Sequence, residues 1–179
     1  MTPLSIRSHL AQYSIFEKRR TTINHAFASA LAFHEEYDKE KVEKALKDLG
    51  QTDLRRLTCV YCSREAKTWD HLENLVSNGR LSGFGHQLGN LVPACGDCNS
   101  EKTNRPFRDF VRDSKRIAGD RNDLIKRLEN HLTLATPIEI PSPESSPIVR
   151  ELFDVQQQIL DLMVKADELV AQLSPERNG

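Results

Sequence analysis

CVYC, residues 59–62, and TWDHLENLVSNGRLSGFGHQLGNLVPACGDCNSEKTNR, residues 68–105, decide how this chain folds. They hold all four of its cysteines as two C-x2-C pairs, Cys59 with Cys62 and Cys95 with Cys98. A C-x2-C turn lets two thiolates reach one ion from a single knuckle, and two knuckles complete the tetrahedral four-sulfur shell that zinc prefers. Two disulfides, with three possible connectivities, or a redox pair are the other uses of such cysteines. Disulfides need an oxidising compartment, and the opening MTPLSIRSHLAQYS has no charged-then-apolar signal segment. A structural zinc in a cytoplasmic protein is therefore the expectation. Four sulfurs leave no open coordination position, so this ion fastens chain to chain and takes no part in reaction.

The fastening brings Asp70 and His71 close to Asn90 and Asn99. Residues 68–72 and 88–92 are short β-tolerant runs, and SNGRLSGFG between them is rich in turn formers. CNSEKTN can open a helix, so the expected order is strand, strand, helix around a metal-tied corner. In a regular strand Asp70 and His71 diverge; they face one site only if the strand ends or bulges there.

These residues carry a resemblance. The run DH, then GNLVPACGDCN with Lys102 following, resembles the HNH endonucleases, or ββα-metal nucleases, in their cysteine-rich, zinc-containing branch. The likeness covers about residues 57 to 110. It implies that His71 is the general base, that Asp70 and Asn99 hold the catalytic divalent ion, and that Asn90 orients the histidine or its loop. Many relatives have proline three residues after the histidine, where this chain has Asn74. His86, in the glycine-rich loop, is left outside the expected site. The residue types suit the chemistry on their own account. Imidazole has an unperturbed pKa of about 6.5, which fits a base near neutrality. A hard ion such as magnesium or manganese, held by one carboxylate and one amide oxygen, keeps positions for phosphate.

Outward from this core the signals are coarser. With 28% charged and 38% hydrophobic residues in 179, the composition is that of an ordinary soluble chain, and no apolar run is long enough to span a membrane. The formal net charge of −1 does not itself suggest a nucleic-acid binder. Its distribution does. Residues 1–50 read as helical, with Leu10, Tyr13, Phe16, Ile23, Phe27 and Leu31 at mostly helical spacing, the basic cluster Lys18, Arg19 and Arg20, and a second helix from 38 to 49 closed by Gly50. Residues 101–127 carry a local charge of +4. Pro106 can open a helix there, placing Arg105, Arg108, Arg112 and Arg116 along one face opposite Phe107, Phe110 and Val111. Lys102, Arg105, Arg108 and Arg112 are the candidate contacts to a phosphate backbone, double-stranded DNA being the expected partner. Asp120 caps a further helix with Leu124, Ile125, Leu128 and Leu132 as its apolar stripe.

TPIEIPSPESSP then breaks the pattern as a stiff connector. Beyond it Leu152, Val155, Ile159, Leu162, Ala166, Leu169 and Leu173 step alternately by three and four, a heptad pattern in a stretch of net negative charge. Such a helix either packs back on its own chain or forms a homodimer through residues 148–174.

The expected fold class is α+β, mostly α: a small zinc-tied ββα-metal core flanked by N- and C-terminal helices. The expected segments are a helical region 1–50, a nuclease domain with basic helices 51–135, a linker 136–147 and a heptad helix 148–179. The expected activity is metal-dependent hydrolysis of DNA phosphodiesters. The rival is a non-catalytic zinc module that binds DNA or acts as a scaffold.

Overall fold

A computed structural model describes residue 6, residues 10–77 and residues 80–177. Residues 1–5 and 7–9 of the expected N-terminal helical region, Asn78 and Gly79 of the turn-rich loop, and residues 178–179 lie outside the described residues. In chain order the elements are α1 (Ile15–Leu31), α2 (Lys39–Asp48), β1 (Thr68–His71), β2 (Val76–Ser77), β3 (Arg80–Leu81), a 3-10 turn (Leu88–Asn90), β4 (Leu91–Ala94), α3 (Gly96–Lys102), α4 (Phe107–Asp113), α5 (Arg121–Leu132) and α6 (Pro147–Arg177). The class is the expected one, helices around a small antiparallel sheet. Two compact units are present, Leu31–Ile140 and a second made of Met1–Ala30 with Pro141–Gly179. These cut across the segments expected from composition. Leu46 and Leu49, at the end of α2, pack into the same apolar cluster as Phe107, Phe110 and Leu128.

Local signals account for most helix ends in the Leu31–Ile140 unit. Asp38 caps α2 by accepting from the Lys41 amide, and Gly50 just past its end takes φ +87°. Asp120 caps α5 by accepting from the amides of Asn122 and Asp123. Its Leu124, Ile125 and Leu128 are buried as the stripe predicts.

The β1–β4 pair is antiparallel, with Thr68 opposite Ala94, Asp70 opposite Val92 and His71 opposite Leu91. The second strand therefore starts three residues later than the sequence pattern suggests. Residues 88–90 turn instead, because Gly89 lies against the backbone of α5's end: a Cβ there would stand 2.8 Å from the His131 carbonyl oxygen. The turn-rich loop contains a minimal hairpin of its own, β2 with β3. Its far side is pinned by Gln87, whose side chain donates to the carbonyls of Phe84 (2.7 Å) and Thr136 (2.8 Å) and accepts from the Thr136 amide (3.0 Å). The first residues of the proline-rich stretch thus dock on this loop.

The basic stripe takes a different form from the one expected. Helix α4 ends at Asp113, so Arg116 lies beyond it, and Arg105 precedes its cap residue Pro106. The arginines are also neutralised by acids from other positions: Arg105 with Asp113 at 2.9 Å, Arg108 with Glu129 at 2.7 Å, and Arg116 with Glu101 at 2.5 Å. Arg112 pairs more loosely with Asp109, at 3.4 Å, and is the most exposed of the four.

In the other unit, Asp167 of α6 accepts from the Ser14 hydroxyl and from the amides of Ile15 and Phe16, capping α1 across the chain. Gln156 bonds Asn24 ten residues along α1. Leu152, Ile159 and Ala166 are half-buried, whereas Val155, Leu162, Leu169 and Leu173 are exposed. The heptad pattern is therefore divided between an inner and an outer face.

Candidate active site and metal centre

The four cysteine sulfurs all lie within 4.8 Å of one another, as free thiols. A tetrahedral ion with sulfur ligands at about 2.3 Å sets its ligands about 3.8 Å apart, so this cluster could hold a metal ion such as zinc. Local structure explains the convergence. The first knuckle closes by an amide bond from Ser63 to the Cys59 carbonyl, with Ser63 at φ 61°, and the second is the start of α3, where Cys95 accepts from the Cys98 amide. Bonds from Val60 to the Pro93 carbonyl and from Lys67 to the Ala94 carbonyl hold the knuckles side by side. Burial raises the Cys59 and Cys98 thiols, whereas at Cys62 burial is opposed by hydrogen bonds from Arg64, Cys98 and Cys95, which together bring it down to about 6.

Next to this centre, strand β1 and helix α3 meet. Lys102, the last residue of α3, is fully buried and forms an ion pair with Asp70, Nζ to Oδ1 at 3.3 Å; the same ammonium donates to the His71 carbonyl at 2.7 Å. The other carboxylate oxygen accepts from the Tyr61 hydroxyl at 2.6 Å. Burial raises the Asp70 pKa and the nearby ammonium and hydroxyl oppose it; burial and the Asp70 charge push Tyr61 well up. Lys102 is therefore an internal cation of the site and has no surface from which to reach adjacent phosphates. Removing one member of a buried pair leaves the other uncompensated, at about 3–5 kcal/mol. Lys102→Met should lower the unfolding free energy by roughly that amount. Denaturant titration would show it, and a change below about 1 kcal/mol would mean the pair is not buried in solution.

His71 leaves β1 on the side away from Asp70, as the unbulged register requires. Its Nε2 lies 3.1 Å from Nδ1 of His86. Burial, then His86 and Lys102, bring the His71 pKa down to about 4, so the imidazole is neutral at physiological pH. Asn90, fully buried, is the organiser of the surrounding loops. Its Oδ1 accepts from the Glu73 amide at 2.7 Å, and its Nδ2 donates to the carbonyls of Glu73 and Gly85, each at 3.0 Å. One side chain therefore ties the residue two after His71 to the residue just before His86. Asn74, standing at the position of the relatives' proline, donates to the Asn104 carbonyl at 2.8 Å and fixes the exit from β1 by a bond in place of a ring. Asn99 bonds Thr68 Oγ1 at 3.3 Å, on the face of β1 that also carries Asp70.

The sequence singled out Asp70, His71, Asn90, Asn99 and the cysteines, and the fold gathers all of them around β1, β4 and α3. It did not single out Tyr61 or His86. The signal for Tyr61 was available, an aromatic residue inside the first knuckle whose hydroxyl needs a buried partner. His86 had only its place between a glycine and Asn90.

Residues 59–105 match the family model described as HNH endonuclease. The matched segment takes in all four cysteines, whose placement to hold one metal ion is consistent with the zinc-containing, four-cysteine branch of that family. No curated protein and no solved structure matches the chain. The family match points to a nuclease or DNA-binding module with a metal site. Among the described residues no helix is long and apolar enough to cross a membrane.

Proposed function

We propose that the chain is an HNH endonuclease that hydrolyses DNA phosphodiester bonds with the help of a divalent ion. The observation that supports this most is the gathering of His71, Asp70, Asn90 and Asn99 about the end of β1, with Asp70 and His71 on its opposite faces, in a ββα unit whose four cysteines could hold a metal ion. A purely structural zinc module leaves unexplained why a buried asparagine fixes the loops on which His71 and His86 stand.

The residues fit the implied ion by the chemistry of their donors. Asp70 and Asn99 lie on one strand–helix face and offer a carboxylate and an amide oxygen; both Asp70 oxygens are engaged, by the Lys102 ammonium and the Tyr61 hydroxyl, so an ion taken there exchanges with those bonds. Asp70 and Asn99 would hold magnesium or manganese, which supplies charge stabilisation on the scissile phosphate and the leaving oxygen. The chain's own residues do the rest. His71 accepts a proton from the attacking water. Asn90 fixes the loops on which the base stands, and Lys102 holds the Asp70 carboxylate and the end of β1 in register. Arg112, the most exposed arginine of α4, and Arg105, held by the single acid Asp113, are the candidate contacts to neighbouring phosphates; Arg108 is held by both Glu129 and Glu73.

The product class tests the reaction. Cleaved duplex should carry 3′ hydroxyl and 5′ phosphate ends, so that DNA ligase reseals nicks without prior end repair. Ends that need a phosphatase before ligation would point to a different chemistry.

One HNH core has one base and cuts one strand at a time, so a double-strand break in one encounter calls for two cores. The outer heptad positions Val155, Leu162 and Leu169, 42%, 68% and 50% exposed, offer an apolar stripe for a second copy. Leu162→Asp with Leu169→Asp should give a monomer by light scattering while nicking activity persists. A wild-type protein that is monomeric at micromolar concentration would remove the dimer from the account.

A further inference from the structure

We propose that His86 is a positioning residue for the general base: its Nδ1 accepts the Nε2 proton of His71, which fixes the His71 tautomer and leaves Nδ1 of His71 as the basic nitrogen. The proposal rests on the reading of His71 as the base and adds a residue to it.

The contact is set by anchors that have no other evident purpose. The His86 amide donates to the Phe33 carbonyl at 2.7 Å, and the His86 carbonyl accepts from the Glu35 amide at 3.3 Å, so residues 33–35 run beside His86 as a parallel bridge. The ring stacks on His34, with centroids 4.4 Å apart and planes 24° from parallel. Gly85, at φ +55°, lets the backbone press on the Phe33 carbonyl where a Cβ would collide. Asn90 then bonds the Gly85 carbonyl and both backbone polar groups of Glu73. The result is His86 held by a strand-like contact on one side and presented edge-on to His71, with centroids 4.9 Å apart and planes at 67°.

A neutral imidazole has one donor and one acceptor nitrogen, so the bond at 3.1 Å has two forms. If His86 donates, the His71 lone pair is consumed in the pair bond and its other nitrogen carries the proton, leaving nothing to accept a proton from water. If His71 donates, the lone pair at Nδ1 is free. The second ring nitrogen of His86, Nε2, is buried without a partner in both forms, as an N–H in the proposed one and as a lone pair in the other, so no bond made there selects between them. The function of His71 does. An imidazole held in the wrong tautomer loses most of its value as a base even where the geometry is intact, which is why bases of this kind have an orienting acceptor behind them.

Two measurements on the full-length, zinc-loaded protein test this. Nitrogen-15 correlation spectra of the imidazoles at neutral pH should show His71 with a protonated Nε2 and an unprotonated Nδ1; the reverse pattern overturns the proposal whatever the activity. Kinetics of two variants supply the second arm. His86→Gln keeps an acceptor oxygen and His86→Leu does not. His86→Leu should lower kcat by roughly ten- to a hundred-fold, the range for losing the outer partner of a functional imidazole, with KM little changed, and His86→Gln should recover most of that loss. Equal rates for wild type and His86→Leu, or equal losses in both variants with unchanged melting temperatures, overturn the positioning role. If wild type itself does not cleave under any divalent ion, it is the endonuclease reading that fails, and the spectrum still decides the tautomer.

Discussion

Cys95→Ser is expected to lose the metal and the fold of the ββα corner together. Serine keeps the helix cap, since its hydroxyl can accept from the Cys98 amide as the thiol does, so the substitution isolates the metal from the capping contact. Structural zinc in small four-ligand sites binds with about 10–16 kcal/mol of apparent free energy. A whole domain is stable by only about 5–15 kcal/mol, so a weakened site of this kind leaves little margin. The knuckles are also part of the apolar core, where Cys59, Cys95 and Cys98 pack with Tyr61, Val92 and Phe110. Zinc content by metal analysis and thermal melting by circular dichroism give the readout. Stoichiometric zinc with an unchanged melting temperature would show that the four thiols serve something other than a metal.

The second large effect is on catalysis. His71→Ala should reduce DNA cleavage by about 10² to 10⁴, the contribution of a positioned general base, while zinc content and DNA affinity stay near wild type. The imidazole is only half-buried and its protein partner is one ring nitrogen of His86, so its loss should leave the fold largely intact. Asp70 behaves differently. It is 4% exposed and bonded to Lys102 and Tyr61, so its replacement perturbs stability and activity at once. His71 is therefore the cleaner probe. Wild-type rates in His71→Ala would remove it from the mechanism.

Much of this arrangement was legible in the residues because its causes are local. Two C-x2-C knuckles, the caps Asp38 and Asp120, Gly50 after α2 and the apolar stripe of α5 each depend on neighbours within a few positions. What the sequence pattern misplaced depends on distant chain. The start of β4 is displaced because Gly89 must pass close to the end of α5 and because the buried Asn90 side chain needs a turned backbone to reach Glu73 and Gly85. The arginines looked like a free stripe because charges were counted along the chain, and Arg108 finds its acids in Glu73 and Glu129 on other elements. Lys102 was read as a surface contact, and it became the partner of a carboxylate 32 positions earlier. The question posed by the adjacent Asp70 and His71 was answered by the register: with no bulge, the strand divides them, one toward α3 and one toward His86.

The same division gives each half of the site its own support. Asp70 is held by a knuckle residue and the last residue of α3, His71 by a loop anchored on residues 33–35. Asn90 secures that loop to the exit from β1. A lesion in the loop should thus affect the base while sparing the ion pair, whereas a lesion at Lys102 reaches both, since its ammonium also bonds the His71 carbonyl.

The most direct measurement is cleavage of supercoiled plasmid by the zinc-loaded wild-type protein as magnesium or manganese is titrated at fixed zinc. The account predicts nicked circles that appear in proportion to enzyme, depend on the added ion and disappear in His71→Ala. Intact plasmid at every ion concentration, with zinc bound and the protein folded, would contradict it.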